Sequence, residues 1–236
     1  MDPRYKSPDA VVIDVDADDE FRDLSLFTTV LKWMLIIGGL LAVFSLWSFW
    51  MQLDLLSRSF SPAEAHANDI RVRGLAGLSL LLTIVTLIVF ARWIVLAHRN
   101  LPALGARYLD FTPGWAVGWF FVPVANIWKP FQAMRSLWQY SHSVHKPDLQ
   151  DSTWVLGVWW TLWLISAVLG NFTMRNSIGT KTVADLTSTT QIGIANSFID
   201  VFQYAIAVVL IARIWKAQAM QRDNPGEFEP QKGFAD

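Results

Sequence analysis

Four stretches of this chain stay almost free of charge for the length of a bilayer crossing, and polar segments separate them. Three of them, residues 33–53, 74–91 and 152–174, contain no Asp, Glu, Lys or Arg, and a fourth, 191–212, carries the single charge Asp200. A helix rises about 1.5 Å per residue, so runs of roughly 18 to 23 residues match a hydrocarbon core about 30 Å thick. The pattern predicts four membrane-spanning helices. Trp33, Trp50, Trp93, Trp154 and Trp215 fall near the ends of these runs, where an amphipathic indole gains by lying among headgroups. Ser61-Pro62-Ala63-Glu64 has the form of a capping box with proline at the first helical position, so a helix is expected to open there and feed the second run.

Residues 111–128 are also uncharged, yet they contain Pro113, Gly114, Gly118, Pro123 and Asn126. Proline removes a backbone donor and clashes with the preceding turn. A helix opening near Pro113 should therefore stop near Val122, with a second helix over about 127–142. That second helix is expected to place Ile127, Phe131, Met134 and Trp138 on one face and Lys129, Gln132, Ser136 and Gln139 elsewhere, as an interfacial or bundle-edge helix does. The expected fold is all-α: a polytopic transmembrane helical bundle of four spans plus a Pro/Gly-broken re-entrant or interfacial hairpin over 111–142, with five spans as the alternative. Lys and Arg counts separate the two. Five crossings divide them 9 against 10, which sets no orientation, whereas four crossings divide them 14 against 5. By the positive-inside rule the four-span arrangement puts both termini and residues 92–151 on the cytoplasmic side.

Composition agrees with a lipid environment. Hydrophobic residues make up 53% of the 236 and charged residues only 17%, with 13 Trp, where soluble domains run near a quarter charged. A formal charge of -1 offers no basic excess for nucleic acid. No Cys is present, which excludes disulfides, thiol catalysis and thiolate-held metal clusters. Residues 1–23 hold eight acids against three bases with Pro3 and Pro8, and read as a disordered acidic cytoplasmic tail. A secretory signal would place positive charge before a short apolar run, so the first span is expected to be retained. Residues 24–220 then form the transmembrane domain and 221–236 a flexible tail.

The segment from Trp93 through His98, Asn100, Pro102 and Gly105, followed by Thr112-Pro-Gly-Trp-Ala-Val-Gly-Trp-Phe-Phe-Val-Pro-Val-Ala-Asn-Ile-Trp-Lys-Pro-Phe-Gln-Ala-Met-Arg-Ser-Leu-Trp138, resembles the bacterial membrane family known as domain of unknown function 4328. The match is most specific over about 93–140, and the flanking spans through Gln218 are compatible with it. The resemblance implies a polytopic prokaryotic protein of the inner membrane and carries over no catalytic residue, ligand or cofactor.

Asp200 is the main physical outlier, because an acid near a helix centre costs about 2.5–3.5 kcal/mol on insertion scales unless it faces a polar interior. Asn196, Asp200 and Gln203 form a polar stripe at helical spacing, and Arg73 or Arg175 at other span ends are expected to reach toward the acid. The stripe reads either as a proton- or cation-coupling site or as a paired acid that fixes helix register, and the lack of a relay of carboxylates and histidines favours the second. The first span offers a matching face of Gly38, Ala42, Ser45, Ser48 and Gln52, suited above all to close helix packing. His142 and His145 have metal-ligand spacing, but a real site needs further ligands, and exposed loop histidines are the simpler reading. In the hairpin, Trp115, Trp119, Trp128 and Trp138 can anchor, while Lys129 and Arg135 can meet lipid phosphate or cap carbonyls freed by Pro113, Pro123 and Pro130.

No Ser-His-Asp set, phosphate-binding glycine loop or His-Glu-x-x-His motif is present, which points away from an enzyme. The leading expectation is a non-enzymatic scaffold or accessory subunit that engages lipids, a second membrane protein or another copy of itself through the hairpin, without nucleic acid or cofactor. The alternative is a small ion- or proton-coupled channel or transporter using Asp200. The cysteine-free chain allows a direct topology test. Single-Cys variants Ser143→Cys and Thr180→Cys, treated in intact cells with a membrane-impermeant thiol reagent, should label only at position 180 under four spans and alike under five.

Overall fold

A computed structural model describes residues 11–12, 20–106, 108–142, 153–176 and 182–224. The order is β1 (Val11–Val12), α1 (Ser25–Ser57), α2 (Pro62–Ala103), β2 (Tyr108–Leu109), α3 (Pro113–Gly118), two single 3-10 turns (Trp119–Phe121 and Ala125–Ile127), α4 (Lys129–His142), α5 (Trp154–Asn176) and α6 (Val183–Asp223). The fold is all-α apart from the two-residue antiparallel ladder of β1 on β2, with Val11 opposite Leu109 and Val12 opposite Tyr108. Four helices, α1, α2, α5 and α6, are long and apolar enough to cross a membrane. Each contains or overlaps one predicted run. Segment 111–128 forms no fifth span among the described residues, because its helix stops after six residues.

The helix ends follow from local chemistry. At α2 the Ser61 backbone N–H donates to Glu64 Oε2 at 2.8 Å and the Glu64 N–H donates back to Ser61 Oγ at 3.3 Å, as the reciprocal cap requires. Thr182 and Asp185 repeat the device at α6, with 3.0 Å and 3.2 Å bonds. Ser25 N–H is capped by Asp23 Oδ1 at 2.7 Å. The exit from α2 uses Gly105 at φ 100, and the Ala106 N–H returns to the Leu101 carbonyl, a turn that favours glycine. Pro113 occupies the start of α3 after an extended Thr112. The break comes at Val122, which is extended, and at Val124, at φ 68. A β-branched residue there is strained.

The chain divides into two compact units, one comprising Met1–Val30, Val89–Gly157 and Leu210–Asp236, the other Leu31–Ile88 and Val158–Val209. The first has a core of Leu24, Trp93, Ile94, Leu101, Met134, Leu137, Leu210, Ile211 and Ile214, crossed by polar links. The Trp93 indole N–H donates to Thr28 Oγ1 at 2.9 Å. Fully buried Gln218 donates to the Ala97 carbonyl at 2.9 Å and to Ser141 Oγ at 3.0 Å, and accepts from Asn100 Nδ2 at 3.3 Å. Asn100 in turn holds the Arg22 backbone on both its polar groups, at 3.0 and 2.9 Å. Gln221 donates to the carbonyls of Tyr140 and Ser141. Phe21 stacks on Trp215.

Helix α4 buries Pro130, Ala133, Met134, Ser136, Leu137, Trp138 and Ser141, so Met134 and Trp138 of the expected apolar face turn inward together with several small residues. Ile127 is exposed and Ser136 buried. Small residues that let helices approach and Ser141, the acceptor for Gln218, share this face with Met134, Leu137 and Trp138.

The second unit joins α1, α2, α5 and α6 segments. The Tyr204 ring lies where a Cβ on Gly38 would stand 2.7 Å from it, and the Phe49 ring does the same at Gly193 at 2.9 Å.

Gln218→Leu should remove three hydrogen bonds and leave Asn100 and Ser141 short of a buried partner, costing on the order of 2–4 kcal/mol. Thermal unfolding in detergent should show a clear loss of stability against wild type, with retained helical circular dichroism at low temperature.

Candidate functional site

Within the second unit, α1, α2 and α6 line a partly open cavity of about 220 Å³. Its walls carry Gly38, Ser45 and Ser48 from α1, Ser79 and Thr83 from α2, and Ser197, Asp200 and Tyr204 from α6. The outer surfaces of the same helices present Leu40, Phe44, Trp47, Leu80, Leu81 and Ile88. Polar side chains therefore turn inward and apolar ones outward, the arrangement expected in lipid.

Asp200 receives hydrogen bonds on both carboxylate oxygens, from Ser166 Oγ on α5 at 2.7 Å and from Asn196 Nδ2 at 3.0 Å. Both donors are neutral. Neither expected arginine supplies the counter-charge: Arg73 pairs with Asp69 one turn away at 3.2 Å and is exposed, and Arg175 is exposed at the end of α5. Hydroxyl and amide donors on neighbouring turns reach a mid-helix acid at shorter range than a long side chain bending down from a span end. Four buried acceptors in this unit, Gln52 Oε1, Thr86 Oγ1, Asn196 Oδ1 and Gln203 Oε1, have no hydrogen-bond partner among the described residues. Buried acceptors of this kind ordinarily find a water or a ligand.

Of the predicted stripe, the structure brings Asn196 onto Asp200 and leaves Gln203 on the same helix without a bond to either. Of the companion face, Gly38, Ala42, Ser45 and Ser48 line the cavity and Gln52 does not. Ser166, Tyr204 and the α2 wall of Ser79 and Thr83 were not singled out by sequence. Ser79, Thr83 and Thr86 sit at helical spacing, a signal of the same kind as the other two stripes.

The residues of the expected hairpin belong to the first unit. Trp115 and Trp119 rings lie 5.0 Å apart. Lys129 Nζ stands 5.6 Å from the Trp119 ring and 5.8 Å from Phe111, within reach of cation–π attraction. Gly114, Pro123, Trp128 and Arg135 are exposed, Pro130 and Trp138 are buried, and the Asn126 N–H returns to the Val122 carbonyl. His142 stacks on Trp138 at 4.3 Å and its Nδ1–H donates to the Trp138 carbonyl at 2.8 Å. Burial pulls the His142 pKa below the ordinary histidine value, against that hydrogen bond. His145 lies outside the described residues. Among those described, no three His, Cys, Asp or Glu side chains converge on a metal position.

Four long apolar helices with an inward-facing polar cavity define a multi-pass α-helical membrane protein. The family model for domain of unknown function DUF4328 matches residues 57–216, and the chain belongs to that family. No curated protein and no solved structure matches it.

A Cβ at position 38 would overlap the Tyr204 ring, so Gly38→Ala should cost about 1–3 kcal/mol. In a Tyr204→Ala background the same change should cost little, and a double-mutant cycle read by thermal unfolding should give that non-additivity.

Proposed function

We propose that this protein binds and passes a proton or small alkali cation through the cavity at Asp200. The observation that carries the reading is the pairing of a mid-helix carboxylate with hydroxyl-lined space of about 220 Å³. That volume suits roughly seven waters at about 30 Å³ each. Hydroxyl and carboxylate oxygens are hard donors that suit proton carriers and hard cations rather than soft metals. Among the described residues Asp200 is bonded only to neutral groups, so its charge is left for an incoming cation. The cavity favours this over a purely structural acid, for which well-packed small side chains would suffice. The Lys/Arg asymmetry supports both termini on the cytoplasmic side, and the family resemblance supports a bacterial inner membrane.

A second reading, an accessory subunit seated in the interface through its broken hairpin, is supported by Phe121, Val124, Ile127 and Trp128, which are 81%, 67%, 50% and 45% exposed. In water such side chains cost free energy, and in the headgroup region they gain it. The scaffold role predicts that crosslinking recovers a membrane partner through Trp128.

Proteoliposomes carrying a pH-sensitive dye and imposed proton, sodium or potassium gradients test the main reading. Wild type should dissipate one of these gradients and Asp200→Asn should remove that flux. Flux unchanged by Asp200→Asn, or none in wild type under any of the three gradients, overturns it.

A further inference from the structure

A separate cavity of about 460 Å³ opens beside the turn between α1 and α2, framed by Trp47 and Trp50, with Asp54, Arg58, Glu64 and Arg71 among its walls. Its four charges are unequally satisfied. Arg58 bridges to Glu64 at 2.9 Å and stands 3.6 Å from Asp54. Glu64 also accepts from Ser61 Oγ and the Ser61 N–H, at 2.9 and 2.8 Å, and the charges of Arg58 and Glu64 are closely paired. Those of Arg71 and Asp54 are not. Partly buried Arg71 donates to Ser48 Oγ, the Ser48 carbonyl and Asn68 Oδ1 at 3.0, 3.3 and 2.6 Å. All three acceptors are neutral, and its second terminal nitrogen, NH1, makes no hydrogen bond among the described residues. Asp54 is 76% exposed, and its 3.6 Å approach to Arg58 is too long for a hydrogen bond.

The lining of the cavity thus combines a pre-positioned guanidinium, a loosely held carboxylate and two exposed indoles. A guanidinium fixed by neutral acceptors keeps its full charge and its remaining terminal nitrogen for a phosphate oxygen. A carboxylate beside indole faces takes an ammonium. The charges of the four groups sum to zero, which suits a ligand that is itself neutral overall with both signs on it. Below Trp47 on α1, Leu40, Val43 and Phe44 are exposed, a surface suited to acyl chains. We infer that this cavity is a binding site for a zwitterionic amino-phosphate, presented as the headgroup of a phosphatidylethanolamine-type lipid, with the phosphate on Arg71 and the ammonium on Asp54. The site goes beyond the cation path and does not rest on it.

The test is lipid retention. Protein reconstituted in vesicles of equal phosphatidylethanolamine and phosphatidylglycerol is extracted in mild detergent, and the co-purifying lipid is identified by mass spectrometry. Wild type should retain the amino lipid in preference. Arg71→Gln should lower its retention about tenfold, since one charge-assisted contact of this kind is worth at least that factor. Asp54→Asn changes an exposed side chain and leaves the fold intact; it should equalise the two lipids while total retention persists, a selectivity change that misfolding cannot imitate. Titration of delipidated protein with soluble phosphoethanolamine, with inorganic phosphate as control, separates the two sources. Displacement of retained lipid by phosphoethanolamine alone confirms the amino-phosphate chemistry with a water-borne ligand also admitted. Lack of displacement together with lipid selectivity assigns the site to the membrane lipid. Equal retention by wild type, preference for the glycerol lipid, or an Asp54→Asn variant that keeps wild-type selectivity overturns the inference. Ion flux through the Asp200 cavity is measured independently, so the two readings fail separately.

Discussion

A chain whose outside must be greasy has to settle its polar side chains among themselves. Water is not there to solvate a stray carboxylate or amide, so each one needs a donor or acceptor from a neighbouring turn or helix. This requirement organises both units. Around Asp200, Ser166 and Asn196 take the two carboxylate oxygens, and serines and threonines on three helices face the same space. In the other unit, Gln218 ties Ala97, Asn100 and Ser141 together, and Asn100 extends the link to the backbone of Arg22.

The two units meet that requirement to different degrees. The Gln218 network is closed, with the amide donors and acceptors of Gln218 and Asn100 matched, and in the same unit only His98 Nε2 is a buried side-chain atom without a partner among the described residues. Near Asp200 the matching is incomplete, since Asn196 and Gln203 each retain a buried acceptor without a partner. Closed networks rigidify and specify a fold, while open ones leave acceptors that ordinarily find a water or a ligand. Both cavities described above lie in the incomplete unit.

The long elements were legible because charge is so costly in hydrocarbon that its absence over twenty residues has one common meaning. The break at Pro113 to Asn126 was legible because proline and glycine act locally, on the very backbone where they sit. Other features depend on partners that one helix does not reveal. Ser79 and Thr83 look like ordinary tolerated hydroxyls until α1 and α6 supply the rest of the wall. Of the α4 face expected from Ile127, Phe131, Met134 and Trp138, Met134 and Trp138 are buried and Ile127 is exposed, and Ala133, Ser136 and Ser141 are buried with them, which their lack of bulk does not signal. Asp200 was expected to draw an arginine, yet short neutral donors one turn or one helix away reach it without bending. The length of α6 could have been foreseen from Thr182 and Asp185, whose spacing caps its start before the apolar run begins.

The two glycine contacts have a mechanical result. α1 offers Gly38 to a ring on α6 and α6 offers Gly193 to a ring on α1, and the interval from 38 to 49 equals that from 193 to 204. Two antiparallel rods notched into each other at two heights resist both sliding and rolling, so this pair behaves as a single post. Any rocking that opened the cavity to alternate sides would have to be carried by α2 and α5 pivoting against that post, and the contact spent on each swing of α5 would be the one between Ser166 and Asp200.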